Sequence, residues 1–242
     1  MNITSNTAPS SLKSIRAFHG SPGVPEDFNP LKSALAELSA DFTWTLPVRL
    51  GYPGSASLAA PTDFALGYSW GCFDCLEYAT THPVRAVILI APYLYPTSTV
   101  SPLKRLILST PIFSDLVLQN VAPKAIQEFL VKSSAPQPVP ADYLKVSEAY
   151  TQPKVLRAAL LEKNGKLPRL QSALEQLNRK KTPILLILGD RDESSEEAVQ
   201  VAPLREKIRF SSEKRLADGG HALLWTHPRE LAKELVNELE KL

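Results

Sequence analysis

Apolar positions along the chain fall into two kinds of run, and their alternation predicts the architecture. Short runs that are apolar at most positions occur at 13–20 (KSIRAFHG), 63–69 (DFALGYS), 85–92 (RAVILIAP) and 183–190 (PILLILGD). A further segment at 41–51 (DFTWTLPVRLG) has strand-forming residues and stops at Gly51. Between the first two of these strands, residues 26–40 set Phe28, Leu31, Leu35 and Leu38 at helical spacing. The last segment, 226–242, places Leu231, Leu235 and Leu239 four apart between charges, which predicts an amphipathic helix. Continuously apolar strands alternating with helices imply a mostly parallel sheet covered on both faces. The expected fold class is α/β.

The alternation stops between Pro96 and Thr182. About 85 residues follow in which helical patterns are broken by prolines at 102, 111, 123, 136, 138, 140, 153 and 168. PADYLKVSEAYTQ, PKVLRAALLEKNG and PRLQSALEQLNRKK each begin with proline, whose fixed φ and missing N–H suit a first helical turn. This predicts a helical lobe at 97–181 inserted into a core made of 1–96 and 182–242. The lobe carries 13 basic and 6 acidic residues, an excess of seven positive charges, and the rest of the chain therefore carries a net −5. Such an excess predicts attraction of anionic ligands toward the junction of lobe and core.

Composition narrows the function. With 44% apolar and 21% charged residues the chain is an ordinary globular sequence, which excludes disorder. A net charge of +2 is too small to argue for nucleic acid or a membrane surface as a partner. No apolar run reaches membrane-spanning length, and Met1 to Ser14 is too polar for a secretory core, so a cytoplasmic location is expected. Cys72 and Cys75 lie three apart at the start of a predicted helix, with no second pair to complete a metal site. They are expected to be buried structural thiols, and no metal or cofactor is expected.

Candidate chemistry gathers at the ends of the apolar strands. Gly67, Tyr68, Ser69, Trp70 and Gly71 form a GxSxG pattern between a strand and a helix. Glycines two before and two after the serine let strand and helix approach without a Cβ clash, and the sharp turn lifts the hydroxyl above the sheet edge. A serine in that position is a nucleophile once a base reaches it, with the helix N-terminus favouring the negative charge that develops. FHGSPG at 18–23 ends the first strand and offers the Ser21 N–H as a second oxyanion donor beside that of Trp70. LGDRD at 188–192 ends another strand with two acids, Asp190 and Asp192, either of which suits the orientation of an imidazole. DGGHALLWTHP then supplies His221 after two glycines, 29 residues beyond Asp192, leaving room for a helix and a strand between them. The remaining histidines have structural readings: His227 beside Pro228 at a helix start, His19 ordering its loop, and His82 before Pro83 at a helix end. Trp70 and Trp225 are expected chiefly to pack.

These motifs, in this order, resemble the α/β hydrolase superfamily, in particular its lidded members with an HGxP loop: proline iminopeptidases, carbon–carbon bond hydrolases, haloalkane dehalogenases and epoxide hydrolases. The resemblance covers nearly the whole chain. It implies Ser69 as nucleophile, His221 as base, Asp192 as orienting acid, and the N–H groups of Ser21 and Trp70 as the oxyanion hole. Asp192 is preferred to Asp190 because the family acid most often falls three residues after the strand-ending glycine, here Gly189. The chain departs from the pattern in two places. The family usually has two additional strands before the HG loop, so an N-terminally trimmed core is expected, and YPGSASLAAPTD between Gly51 and Gly67 has room for a turn of helix at most.

The nucleophile separates branches of the superfamily. Dehalogenases and epoxide hydrolases attack sp3 carbon and need a carboxylate, because an alkyl ether on serine is a dead end. Ser69 therefore points to acyl chemistry on a small ester or related acyl substrate, with a preference for anionic substrates predicted from the basic lobe. The alternatives are a carbon–carbon bond hydrolase, an aminopeptidase of the proline iminopeptidase kind, or a ligand-binding member without turnover.

Overall fold

The computed structural model describes residues 13–48, 61–96, 101, 104, 106, 108, 110–162 and 166–242. Six strands form one sheet: β1 (Lys13–Phe18), β2 (Phe42–Thr45), β3 (Phe64–Tyr68), β4 (Ala86–Ile90), β5 (Ile184–Gly189) and β6 (Ser212–Leu216). Their order is β2-β1-β3-β4-β5-β6, and every neighbouring pair is parallel. The α/β expectation therefore holds in class and in strand direction. Residues 1–12, where a preceding strand would fall, and 49–60, which include most of the short Gly51 to Gly67 connection, lie outside the described residues.

Burial of the strands explains why they read as continuous apolar runs. In β3 and β4 every residue is buried, because alternate side chains point to opposite faces and helices cover both. One face sets Ile15, Leu66, Ile88 and Ile187 against α1 (Asn29–Glu37) and the closing helix α9 (Pro228–Leu239). The other sets Ala65, Val87, Leu89 and Leu186 against α2 (Gly71–Thr81) and α6 (Leu167–Lys180). In α9 the predicted leucines Leu231, Leu235 and Leu239 are the buried stripe. Each such leucine contributes about 1.5–3 kcal/mol when fully buried.

Between β4 and β5 the chain leaves the sheet. Here α3 (Pro111–Ser134), α4 (Ala141–Ser147), a 3-10 turn (Glu148–Thr151) and α5 (Pro153–Leu161) pack on one another. The Arg157 guanidinium on α5 reaches the Asp115 carboxylate and Ser114 hydroxyl of α3. The third proline-led helix expected in this lobe, α6, lies on the sheet instead. It buries Leu170, Ala173, Leu174 and Leu177 against α2 as a crossover helix. Its amphipathic pattern satisfies a lobe or a sheet face equally, so only packing separates the two. Among the described residues no helix is long and apolar enough to cross a membrane.

Strand order places the site. The chain turns outward to β2 after β1 and then crosses to β3 on the other side, so β1 and β3 are adjacent and their following loops diverge. A crevice opens at the carboxyl ends of parallel strands where the order reverses in this way. The loop after β1 carries His19 to Gly23, the turn after β3 carries Ser69, and the loops after β5 and β6 carry Asp192 and His221.

Candidate active site

Ser69 occupies a turn with φ of 53°, the left-handed region that a side chain rarely adopts. Backbone bonds hold it there: its N–H donates to the Ile90 carbonyl at 2.9 Å, and its carbonyl accepts from Cys72 at 3.1 Å and Tyr93 at 3.3 Å. The flanking glycines are required by close approach. A Cβ on Gly67 would stand 2.5 Å from the Cys72 Cα, and one on Gly71 would stand 2.0 Å from the Phe18 carbonyl oxygen. The GxSxG spacing is thus the condition for α2 to start directly against the ends of β1 and β3.

The structure brings Ser69, His221 and Asp192 together. His221 Nε2 is 2.8 Å from Ser69 Oγ, and its Nδ1 is 2.8 Å from Asp192 Oδ2. An ionised carboxylate only accepts, so Nδ1 carries the proton and Nε2 is left to accept from the serine hydroxyl. Asp192 Oδ1 accepts from the N–H groups of Ser194 at 2.7 Å and Ser195 at 2.9 Å. Burial by itself would raise the Asp192 carboxyl, but the His221 imidazole and Ser195 hold it below the ordinary carboxylate value. Its side chain is 1% exposed and that of His221 4%. Asp190, the other acid in the loop, turns outward and lies 4.0 Å from the Arg191 guanidinium.

Ser21 sits at the same place. The loop before it lies against the elbow, with the Cβ position of Gly20 3.3 Å from the Ser69 Cβ. Ser21, Ser69 and His221 line one cavity of about 390 Å³, together with Pro22, Tyr93, Phe129 and Val199 as mainly apolar wall. Trp70 begins α2 at its N-terminus, where the first N–H groups have no partner within the helix. Its indole is buried and stacks on Phe73 at 5.7 Å, so only its backbone faces the turn. The charged residues lining the cavity are Lys132, Glu193 and Glu196, and the first two pair at 3.4 Å.

The other singled-out residues have structural surroundings. His19 is buried and donates from Nδ1 to the Gly20 carbonyl at 3.0 Å. His82 stacks on Tyr78 at 4.1 Å. His227 bonds Thr226 at 2.9 Å at the start of α9. Trp225 stacks on Tyr143 at 4.9 Å from α8 (Leu223–Thr226), the helix that follows α7 (Ala202–Arg205) in the chain. Cys72 and Cys75 are buried and unbridged, and burial pushes the Cys75 thiol well up. Among the described residues no group of three or more His, Cys, Asp or Glu side chains is assembled for a metal ion.

Sequence reasoning missed a buried polar group behind the site. The Asp27 carboxylate accepts from the Tyr150 hydroxyl and from the Val24 N–H at 2.9 Å, and the Tyr68 hydroxyl donates to the His221 carbonyl at 3.1 Å. In the sequence Asp27 reads as a first-turn acid favoured by the helix dipole. Its partner Tyr150 is 123 residues away, beyond any local pattern.

The sequence model of the Alpha/beta hydrolase family matches residues 16–234. The chain belongs to the alpha/beta hydrolase family. No curated protein sequence matches it. Among solved structures, this alpha/beta hydrolase is similar to a bromoperoxidase from Bacillus anthracis at 18% identity and a TM-score of 0.69, covering 96% of this chain and 93% of that one. It is similar to an esterase from a Rhodococcus species at 18% identity and a TM-score of 0.67, covering 96% and 92%. Epoxide hydrolase A from Mycobacterium thermoresistibile gives 16% identity and a TM-score of 0.67, covering 96% and 92%. At these identities the likeness is one of fold.

Proposed function

We propose that this alpha/beta hydrolase cleaves a small ester or related acyl substrate through an acyl-enzyme on Ser69. The observation that carries the reading is the unbroken chain Ser69 Oγ, His221 Nε2, His221 Nδ1, Asp192 Oδ2, with 2.8 Å at each hydrogen bond and a cavity at its serine end. His221 takes the hydroxyl proton as Oγ attacks the substrate carbonyl. The N–H groups of Ser21 and Trp70 hold the oxyanion. The imidazolium, steadied by Asp192, then gives its proton to the departing alcohol, leaving an ester on Ser69. Water deprotonated by His221 attacks that ester, and the collapsing intermediate returns the proton to Oγ and releases the acid. A serine at the elbow favours acyl chemistry over the opening of epoxides or carbon–halogen bonds, which needs a carboxylate nucleophile.

In this reading the excursion between β4 and β5 is a cap over the site, with α3 to α5 as its body and α6 serving the core. The cap touches the catalytic loop directly, since the Ala222 N–H donates to the Ser133 carbonyl of α3 at 2.8 Å. Among the described residues the cavity walls carry one cation beside two carboxylates, which favours a substrate that is uncharged rather than anionic where it faces them. A serine-directed fluorophosphonate tests the proposal. Wild type should be labelled and Ser69→Ala should not, and Ser69→Ala should lose several orders of magnitude in kcat on p-nitrophenyl esters. Wild type left unlabelled, beside a control hydrolase that labels, would make the chain a ligand-binding member of its family.

A further inference from the structure

Asp27 is a buried carboxyl group that the mechanism above does not use. It is 1% exposed, and it stands where three parts of the molecule meet. Its own 3-10 turn (Pro25–Phe28) follows the loop of Ser21. The cap contributes Tyr150, 1% exposed, whose hydroxyl donates to Asp27 Oδ1. The segment after His221 contributes Trp225, whose ring stacks on the cap's Tyr143, itself packed edge-on to Tyr150 at 6.4 Å. Asp27 Oδ2 meanwhile accepts the Val24 N–H at 2.9 Å and lies 2.9 Å from where a Cβ on Gly23 would be, so the carboxylate is fitted against the backbone of the Ser21 loop.

One oxygen of this carboxylate thus holds the cap and the other holds the loop with the proposed oxyanion donor. We propose that Asp27 is a positioning residue: it couples the cap, through Tyr150, to the loop of Ser21, so that release of the cap also loosens the oxyanion hole. The consequence for turnover rests on the serine-hydrolase reading, whereas the coupling itself does not. A carboxyl group, neutral or ionised, serves here because both of its oxygens can accept, whereas Asn replaces one of them with an amino group that only donates.

The ionisation of Asp27 makes the coupling sensitive to pH. Burial pushes its carboxyl up to about 7, with Glu26 adding to the rise, while the Tyr150 hydroxyl, the Val24 N–H and the Trp225 indole pull it down. Facing it from the packed elements are Tyr150 and Tyr143 of the cap, Tyr68 of β3, and Trp225 of α8, and the groups named as acting on it among the described residues include no positively charged side chain. An opened cap would return the carboxyl to its ordinary range. The closed arrangement is therefore favoured most at pH below that range and loses this advantage as pH rises through about 7.

Hydrogen exchange on the full chain tests the coupling without any assumption about chemistry. Asp27→Ala and Tyr150→Phe should each raise exchange about tenfold or more in both 19–24 and 141–151, with Asp27→Asn in between. In wild type, after correction for intrinsic rates, both segments should exchange faster above pH 7, and Asp27→Asn should abolish that dependence. Kinetics on p-nitrophenyl acetate supply the second arm. Per fluorophosphonate-titrated site, kcat should fall about 10- to 100-fold in Asp27→Ala with KM little changed, and Asp27→Asn should recover part of it. Exchange that rises in one segment alone, or in neither, overturns the proposal. Inactive wild type would sink the hydrolase reading and leave the exchange result to decide the coupling.

Discussion

Gly71 is the position at which a single methyl group most directly tests the geometry of the elbow. In an exposed helix, Gly→Ala stabilises by about 0.5–1 kcal/mol, because alanine loses less backbone freedom on folding. At Gly71 the added Cβ would lie 2.0 Å from the Phe18 carbonyl oxygen, 2.5 Å from that of His19 and 2.6 Å from the Phe18 carbonyl carbon. Ordinary contact begins at 3.4 Å, so the end of β1 or the start of α2 must withdraw by about 1.4 Å. All three obstacles are backbone, so no side chain can rotate to relieve the overlap. Overpacking of this kind costs about 1–3 kcal/mol or more, which outweighs the propensity gain. For a chain of this size each kcal/mol lowers Tm by about 2–4 °C.

The same displacement has a chemical consequence. Phe18 and His19 lead directly into Gly20 and Ser21, so the proposed oxyanion donor moves with them. A shift near 1 Å at a reacting centre costs on the order of 100-fold in rate. Gly71→Ala is therefore expected to lower Tm by several degrees and kcat on p-nitrophenyl acetate by about 100-fold, with the rate expressed per folded molecule. Calorimetry and steady-state kinetics on the purified variant measure both. A Tm equal to or above wild type would refute the packing argument. A lowered Tm with unchanged kcat would show that the Ser21 loop does not position the reaction.

Three further outcomes are expected. Asp192→Asn should cost about 10⁴-fold in kcat by disturbing the imidazole tautomer. Because the folded carboxyl lies below its ordinary value, its contribution to stability is present above that value and lost as pH falls through the lower folded one; the gap between wild-type and Asn denaturant midpoints should thus close below about pH 4. Ellman's reagent should leave both cysteines of the native protein unmodified and titrate two thiols in denaturant, since both are buried and unbridged. Initial rates on neutral and carboxylate-bearing esters of one acyl length should favour the neutral ester, and faster turnover of the anionic one would return the charge argument to Lys132.

What the sequence made legible follows from how local each determinant is. β3, β4 and β5 are buried throughout and read as apolar runs because both faces of a central parallel strand meet helices. β6, Ser212–Leu216, is the edge strand SEKRL with four of five residues partly or fully exposed, and nothing in its composition marks it as a strand. In the sequence this stretch is only room between Asp192 and His221. The three groups of the hydrogen-bonded chain were legible because each follows a strand end or a glycine pair, so a fold-level order brings them together. Asp27 and Tyr150 were not, since neither the acid nor the tyrosine departs from what its own turn would hold for local reasons. Their meeting depends on how the segment between β4 and β5 folds back on the turn at Pro25–Phe28.

Charge shows the same difference between content and placement. The segment 97–181 holds seven more basic than acidic residues, which by itself predicts an anion-seeking lobe. Of that excess, α6 spends much on its neighbour: Lys166 lies 3.7 Å from the Asp74 carboxylate and 4.5 Å from the centre of the Phe73 ring, Arg169 reaches Glu77 at 2.6 Å, and Lys180 donates to the Thr80 carbonyl at 2.6 Å. All four partners belong to α2, the helix that starts after Ser69, and none of them lines the cavity. Among the described residues the lobe supplies Lys132 as its one cation at the cavity, and the acid loop answers it with Glu193. A field acts on a ligand through the charges that face it, with the rest screened within about 8–10 Å of solvent. Three of the thirteen basic residues thus join α6 and its N-cap to α2, and under the proposed function the charge preference follows from Lys132, Glu193 and Glu196, the charged side chains among the described residues that line the cavity.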